Sequence, residues 1–562
     1  MDIAVIAILG VIGIVAVNAV APRVGVASPL ILVALGVMVS LVPGVPELEF
    51  PPELILAGVL PPLLYSAAVS VPTLEFRRDF TVITGMSVVL VVAGSVLMGL
   101  FFFWAIEDIP LPIGIALGAI VSPTDAVATN IIRHMGVPPR VVTVLEGESM
   151  LNDPSALVLL RATIAAAAVS VSVWTVAWDF ATSVLVAVVV GAIVGLLALK
   201  LRKALANSTS GTAISFVLPF IAYVPAEALG ASGLVAAVTA GLMTSALSAR
   251  YLRPRDRMSE TQNWRTIELL LEGGVFLIMG LQLTAIITQV QIRNGSVWFA
   301  VGIGAVAAAL ILVIRSIYVS LVLVVERRKR SRAVAVRERL EGFAELTHGM
   351  QDRKRARIVK RRVRRRVADV DYITDKPLGR REGVVLVWAG MRGAVTLAAS
   401  QTLPADTPAR STLILIAFVV SAGSLLVQGG SLPWVVRWLG LAKENTDVAE
   451  VRESALVDAM SDAAFGMLDN EDLRRPDGTE YDPRVVTWIR DSLAHERTED
   501  DHEAEPILGA QLRELRLAVI DTQRRKLLRL HAMGEYSTDA LRHVLAVLDA
   551  DQISAELKDQ SD

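Results

Sequence analysis

Apolar residues fill this chain in blocks of about twenty, and short polar stretches separate the blocks. A block of that length, wound as a helix, can cross the hydrocarbon core of a bilayer, which is about 30 Å thick. No basic residue precedes the first block, so we interpret it as a span rather than a signal peptide. The pattern predicts an all-α polytopic membrane protein with thirteen transmembrane helices, at residues 2–20, 28–44, 53–72, 80–105, 111–133, 140–170, 174–200, 210–228, 230–248, 266–290, 296–325, 384–404 and 411–436.

Lysine and arginine are concentrated in the loops that follow odd-numbered spans. The loops that follow even-numbered spans contain almost none, with Arg293 and Arg410 as the exceptions. Because basic residues accumulate on the cytoplasmic side of a membrane, this alternation predicts an external N-terminus and a cytoplasmic C-terminus. We expect a multi-pass protein of the plasma membrane.

Residues 1–440 form the predicted transmembrane domain, and two polar segments are expected outside the membrane. The first, 326–383, is a basic cytoplasmic loop that contains the run RKRARIVKRRVRRR. Such a run can indicate nucleic acid, but we interpret it as contact with anionic lipid headgroups, because cytoplasmic loops are basic in any case. The second, 441–562, has the leucine spacing of packed helices and is interpreted as a small α-helical cytoplasmic domain.

Amino-acid composition further limits the class of protein and the kinds of site that the chain can contain. Hydrophobic residues make up 53% of the chain and the mean hydropathy is +0.55, which is too apolar for an ordinary soluble protein of this size. The sequence has no cysteine, which excludes disulfides and thiolate metal sites. The C-terminal segment has no metal-ligand cluster or phosphate loop. We therefore predict neither an enzyme nor a bound cofactor.

Ionisable residues inside the predicted spans are the strongest indication of function, since each is costly in hydrocarbon and is usually functional. They form four clusters, in spans 5, 6, 10 and 12: Thr124 and Asp125; Glu148, Ser149, Asn152 and Asp153; Glu268 and Glu272; and Arg392. On a helix, the four residues of span 6 fall on one stripe. A stripe that only joins helices normally uses Ser, Thr, Asn or Gln, whereas this one contains two carboxylates.

Spans 5 and 12 each contain a point where a helix is expected to break. Pro123 immediately precedes the span-5 cluster, and Arg392 lies between Gly390 and Gly393. Proline lacks the N–H that helix pairing requires, and broken helices are tolerated in a membrane where they line a cavity. If spans 1–6 and 8–13 are inverted repeats, each broken helix is the fifth in its half. Secondary transporters build their ion sites from such pairs.

Three motifs, SPTDAV, GESMLND and MRGAV, occur in this order along the chain. In sequence and separation they resemble the monovalent cation/proton antiporter family, in the sodium/proton exchanger branch that carries an Asn-Asp pair. The resemblance extends from span 1 to span 13. It implies a homodimer of thirteen-helix protomers, in which unwound helices 5 and 12 cross beside the ion site.

The resemblance also implies roles for individual residues. Asp153 would bind the cation and the proton in turn, and Asn152 would brace the unwound segment. Asp125, Ser149 and the backbone at Thr124 would add ligands. Na⁺ is a hard cation that should prefer carboxylate, hydroxyl and carbonyl oxygens, and these residues supply that set.

Arg392 needs an anionic partner at this depth, and the residues alone leave Glu148 and Glu272 as alternatives. The resemblance favours a buried ion pair between Glu148 and Arg392. Arg161, two turns beyond Asp153, could extend toward the membrane surface or pair with an acid, and is left unassigned.

Three positions depart from the family pattern. Ala126 follows Asp125 where relatives commonly have proline, and Pro154 follows the Asn-Asp pair. The third span reads LPPLLYSA, so Ser66 stands where relatives often carry a carboxylate near the site. Ser66 and Glu272 are therefore additional candidates for the ion site.

One acidic side chain that binds either a cation or a proton is sufficient for antiport. Since Asn152 rather than a second acid lies beside Asp153, we expect one proton per cation and electroneutral exchange, with Na⁺ as the cation. A K⁺/H⁺ antiporter of the same fold is the alternative. An intramembrane aspartyl protease using Asp125 and Asp153 is a further alternative, although the GxGD-type signature of such proteases is absent. A channel built on this fold is another, and so is a membrane-tethered signalling protein with residues 440–562 as its output, which would leave the buried charges unexplained.

Overall fold

The computed structural model describes residues 3–24, 26–42, 51–168, 173–205, 207–293, 295–346, 353–441, 446–470, 472–495, 506–534 and 536–557. Within these ranges the secondary structure is helical, apart from one isolated bridge between Arg474 and Glu480. Thirteen helical rods in these ranges occupy the predicted spans, so the predicted all-α fold is confirmed. They are α1 (Ile3–Val24), α2 (Ser28–Ser40), α3 (Leu54–Ser70), α4 (Thr73–Ala105), α5 (Leu111–Val121 and Val127–His134), α6 (Pro139–Ala168), α7 (Val173–Ala204), α8 (Ser208–Ala228), α9 (Gly233–Tyr251), α10 (Pro254–Ile292), α11 (Val297–Leu346), α12 (Arg380–Trp388 and Ala394–Gln401) and α13 (Arg410–Trp438).

Seven of the described helices are both long and apolar enough to cross a bilayer, namely α4, α7, α8, α9, α10, α11 and α13. Helices α1, α2, α3 and the first half of α5 are apolar but shorter. Two further helices fall outside both groups: α6 contains the polar residues of span 6, and α12 is interrupted. Helix α11 continues past its apolar part to Leu346, and a basic helix Arg353–Asp375 follows, so much of the segment expected to be a loop is helical.

The chain divides into two compact units. The first comprises Met1–Leu252, Ser259–Lys329 and Lys376–Glu444, and contains nearly all of the thirteen rods. The second comprises Arg253–Met258, Arg330–Asp375 and Asn445–Asp562.

Two groups of helices pack within the first unit. Helices α4, α5, α6, α12 and α13 pack on one another and are called the first bundle. Helices α3, α7, α8 and α9 pack on one another and are called the second bundle. The second bundle has its own apolar core, which includes Tyr65, Leu218 and several alanines, and Trp264 at the start of α10 packs into it. The two bundles meet along α6, which contacts α3, α7 and α9.

Helices α2 and α10 approach each other closely where Gly36 faces Gly280. A Cβ atom at Gly280 would overlap the carbonyl oxygen of Val33 and would lie 2.9 Å from the Cα atom of Gly36. The neighbouring atoms belong to the main chain of α2, so they cannot move aside as a flexible side chain could. Small residues at such crossings let membrane helices pack through their backbones.

The second unit contains four C-terminal helices: α14 (Thr446–Leu468), α15 (Pro483–His495), α16 (Pro506–Met533) and α17 (Thr538–Leu557). Their core is apolar and includes Leu468, Ile489 and Leu515. Asp549, which is buried, accepts hydrogen bonds from Arg257 and Arg524, at 2.5 and 2.9 Å. The unit is thus built from helices that share an apolar core and ion pairs around Asp549.

We predict that Gly280→Ala lowers the thermal stability of the detergent-solubilised protein, because the new methyl group forces α2 and α10 apart. Overpacking of this kind costs roughly 1–3 kcal/mol. Gly274→Ala is the matched control on the same helix, since a Cβ atom there meets nothing within 4 Å. Equal melting temperatures of the two variants would contradict the close crossing.

Candidate functional site

Two interrupted helices cross in the first unit. Helix α5 stops at Val121 and resumes at Val127, and α12 stops at Trp388 and resumes at Ala394. The two interruptions are joined directly, because the N–H of Asp125 donates a hydrogen bond of 2.8 Å to the carbonyl oxygen of Met391. The crossed, unwound helices expected from the sequence are therefore present.

Gly393 allows this close crossing. A Cβ atom at this position would overlap the carboxylate of Asp125. The glycine therefore leaves the space that the Asp125 side chain occupies, and only glycine can stand there without displacing that carboxylate.

Arg392 satisfies the carbonyl groups that the interruptions leave without helical partners. Its Nε atom donates to the carbonyl oxygen of Val121 at 3.0 Å and its Nη2 atom to that of Ser122 at 3.4 Å. Its Nη1 atom donates to the carbonyl oxygen of Gly390. The last carbonyls of a helix lack partners and carry partial negative charge. The buried guanidinium therefore stabilises the C-terminal ends of both first half-helices.

The prediction that Glu148 pairs with Arg392 is wrong, because Glu148 pairs with a different arginine. Glu148 is bound by Arg315 of α11, whose Nη2 atom donates to Oε2 at 2.8 Å and whose Nη1 atom donates to Oε1. The side chains of Glu148 and Arg315 are only 1% and 2% exposed. Arg392 is held by carbonyl oxygens instead, so the assignment of its guanidinium to Glu272 fails as well.

Sequence analysis missed Arg315, although a usable signal was present. Arg315 interrupts the apolar run LILVIRSIYVS of the eleventh span. A lone arginine at that depth is as costly as Arg392 and required a partner for the same reason.

Glu148 is connected to Asn152 through Thr124. The hydroxyl of Thr124 donates to Oε1 of Glu148 at 3.1 Å. The amide nitrogen of Asn152 donates to the carbonyl oxygen of Thr124 at 3.1 Å and contacts its hydroxyl oxygen at 2.7 Å. Asn152 thus holds the interrupted segment of α5 in place. Its Oδ1 atom is buried and accepts no hydrogen bond from any residue that the structure describes.

The two aspartates lie at the centre of this arrangement. Asp153 and Asp125 are within electrostatic reach of each other, and both are partly exposed. Asp125 also accepts a hydrogen bond of 3.4 Å from the N–H of Val127, at the start of the second half of α5. Ser149, by contrast, directs its hydroxyl hydrogen to the carbonyl oxygen of Glu146 at 3.2 Å, which leaves only the lone pairs of that hydroxyl for a ligand.

Helix α10 brings two more acids to the site. Glu268 accepts a hydrogen bond of 3.3 Å from Ser66 of α3, and Glu272 is within electrostatic reach of Asp125 and Glu268. Helix α10 thus supplies a carboxylate beside Ser66 of α3. Within the described ranges no three acidic or histidine side chains converge closely enough to hold a metal ion by themselves. A cation bound here would also need oxygens from the backbone, hydroxyls or water.

A cavity of about 20 Å³ lies beside the crossing. Its polar lining consists of Ser122, Glu148, Asn152, Arg315 and Arg392, and apolar residues of α4 line much of the rest. A cavity of this size can hold one water.

Comparison with known proteins gives a consistent result. The family model described as "Sodium/hydrogen exchanger, transmembrane" matches residues 5–438. An uncharacterized Na⁺/H⁺ exchanger of Mycobacterium tuberculosis is 28% identical, over 96% of this chain and 93% of the relative. A sodium, potassium, lithium and rubidium/H⁺ antiporter of Bacillus subtilis is 29% identical, over 47% of this chain and 40% of the relative. The solved sodium proton antiporter MjNhaP1 of Methanocaldococcus jannaschii has the same fold, with a TM-score of 0.53 and 17% identity over 76% of this chain and all of that chain.

We predict that Arg315→Met lowers the free energy of unfolding by about 3–5 kcal/mol, because it leaves the Glu148 carboxylate buried without its cationic partner. The double variant Glu148→Gln/Arg315→Met should be more stable than Arg315→Met alone, since it removes the uncompensated charge. Unfolding of the detergent-solubilised variants provides the measurement. Arg133→Met is the control, because Arg133 pairs with Glu146 through an exposed side chain. Equal losses in Arg315→Met and Arg133→Met would contradict the buried pair.

Proposed function

The chain belongs to the sodium/hydrogen exchanger family, and from this premise we propose that it exchanges Na⁺ for H⁺ across the membrane by competition at Asp153. Family membership supports cation/proton antiport and a transporter rather than an enzyme. The observation that carries the role of Asp153 is its position, partly exposed and within reach of Asp125, beside two crossed interruptions.

The chemistry of the site favours competition. A carboxylate in largely apolar surroundings has to be neutralised, by a proton or by a cation. Asp153 and Asp125 offer oxygens that suit a hard cation, and the carbonyl of Thr124 and the lone pairs of Ser149 supply neutral ones. Asn152 keeps the Thr124 segment in position through its two contacts. Binding of the cation then requires that Asp153 release its proton.

The arrangement of helices supports alternating access. Asp153 belongs to the first bundle, and Ser66 of α3 faces the same site from the second bundle. Relative motion of two bundles around a central ion site is the usual mechanism of secondary transporters. Such motion would expose Asp153 to the two sides of the membrane in turn.

Orientation and assembly are part of the proposal. We place the N-terminus outside and the C-terminus in the cytoplasm of a plasma membrane protein, as the basic loops indicate. Exposed tryptophans support two membrane interfaces: Trp104, Trp174 and Trp298 lie at helix ends assigned to the outside, and Trp434 and Trp438 lie at the end of α13. The resemblance to the family supports a homodimer.

K⁺/H⁺ exchange is the second candidate. The Bacillus subtilis relative is described as an antiporter of sodium, potassium, lithium and rubidium. Acceptance of several alkali cations would fit a site that depends on few protein ligands, because such a site constrains ion size weakly. Proton flux recorded with a pH-sensitive dye in reconstituted vesicles, for each cation in turn, separates the two candidates.

We predict that Asp153→Asn abolishes Na⁺-dependent proton flux while the protein remains folded, because the amide cannot exchange a proton and carries no charge to hold the cation. Asp179→Asn is the matched control, since Asp179 is an exposed aspartate near the start of α7. Size-exclusion chromatography confirms folding of both variants. Full activity of Asp153→Asn would remove this residue from the mechanism.

We also predict electroneutral exchange, because one carboxylate exchanges one cation for one proton. Na⁺-driven proton flux in vesicles should not depend on an imposed membrane potential. A transport current under a clamped potential without a pH gradient would show that the stoichiometry is wrong.

A further inference from the structure

Arg161 of α6 is held by residues of α8. Its Nη1 atom donates to both carboxylate oxygens of Glu227, at 3.0 and 2.8 Å, and its side chain lies near Tyr223. Glu227 also accepts a hydrogen bond of 3.0 Å from the N–H of Gly233, at the start of α9. One carboxylate therefore connects the end of α8, the start of α9 and the side chain of Arg161.

This contact joins the two bundles. Arg161 belongs to the first bundle, whereas Glu227, Tyr223 and Gly233 belong to the second. Arg161 lies eight residues beyond Asp153 on α6, which is about 12 Å along a helix. The ion pair thus lies between the candidate ion site and the membrane face at which α8 ends.

Buried apolar residues lie between Asp153 and the ion pair. Toward the Arg161 side, the residues of α6 and α9 are apolar and buried, with Leu160 2%, Leu234 4% and Val238 1% exposed. Glu268 and Glu272, in the middle of α10, are partly exposed. In the described conformation these buried apolar residues separate Asp153 from the surface on the Arg161 side.

We propose that Arg161 and Glu227 form a latch between the bundles, which closes the passage to the ion site on this side and has to open in each transport cycle. The inference rests on the proposed alternating access. Both partners are partly exposed, at 57% and 28% of their side chains, and an exposed ion pair is weak enough to open repeatedly. The contact of one Nη1 atom with both carboxylate oxygens nevertheless joins α6 directly to α8.

The sequence makes a direct test available, because the chain contains no cysteine. In reconstituted full-length protein, Arg161→Cys/Glu227→Cys is linked with a short reducible bis-methanethiosulfonate. We expect the linked protein to lose at least nine-tenths of its Na⁺-dependent proton flux and to regain it on reduction. The control pair Arg133→Cys/Glu146→Cys lies within the first bundle, so linking it should leave the flux unchanged. Undiminished flux in a fully linked Arg161→Cys/Glu227→Cys protein would overturn the latch.

A second measurement does not depend on transport. Leu160→Cys places a single thiol in the buried layer beneath the ion pair. We expect Arg161→Gln to raise the labelling rate of this thiol by a membrane-impermeant reagent two- to fivefold, and Arg161→Glu/Glu227→Arg to restore the original rate. An unchanged rate in Arg161→Gln refutes the latch. Absence of Na⁺-dependent proton flux in the unmodified protein would instead refute the proposed function, so the two failures are distinguishable.

Discussion

The structure depends on hydrogen bonds donated to backbone carbonyl groups that lie in the middle of a membrane. Two helices stop there, and hydrocarbon offers no water to the carbonyl groups that lose their partners. Arg392 meets this requirement through one guanidinium that reaches the ends of both first half-helices. The remaining features of the site follow from the crossing that this residue makes tolerable, since the crossing places Asp125 and Thr124 beside α6.

A second constraint is charge balance around that crossing. The guanidinium of Arg392 donates its hydrogen bonds to main-chain carbonyl oxygens, whereas the Glu148 carboxylate accepts those of Arg315. Glu148 in turn orders Thr124, and Thr124 is bound by Asn152. This connected set of hydrogen bonds fixes the backbone near the ion site, while Asp153 and Asp125 stay partly exposed. The Glu148–Arg315 pair is thus separate from Asp153 and Asp125, the carboxylates proposed to bind the cation and the proton.

The positions of the spans and the two interruptions could be predicted from the sequence, because block length, proline and glycine act locally. Three motifs sufficed to identify the family. The partner of Glu148 could not be predicted, because Arg315 lies 167 residues away and its pairing depends on tertiary packing. The hydrogen bond between Ser66 and Glu268 was inaccessible for the same reason, since nothing in either span indicates that α3 and α10 meet there. Local patterns therefore identified most of the residues that take part, although not Arg315, and tertiary packing decides which of them pair.

The location of Glu268 has a consequence for ion release. Its carboxylate is anchored to Ser66 of the second bundle, whereas Asp153 belongs to the first. If the first bundle moves as proposed, the distance between a cation bound at Asp153 and the Glu268 carboxylate changes, and Coulomb attraction changes with that distance. The affinity of the protein for the cation would then differ between the two sides of the membrane, without any change in the groups that coordinate the cation.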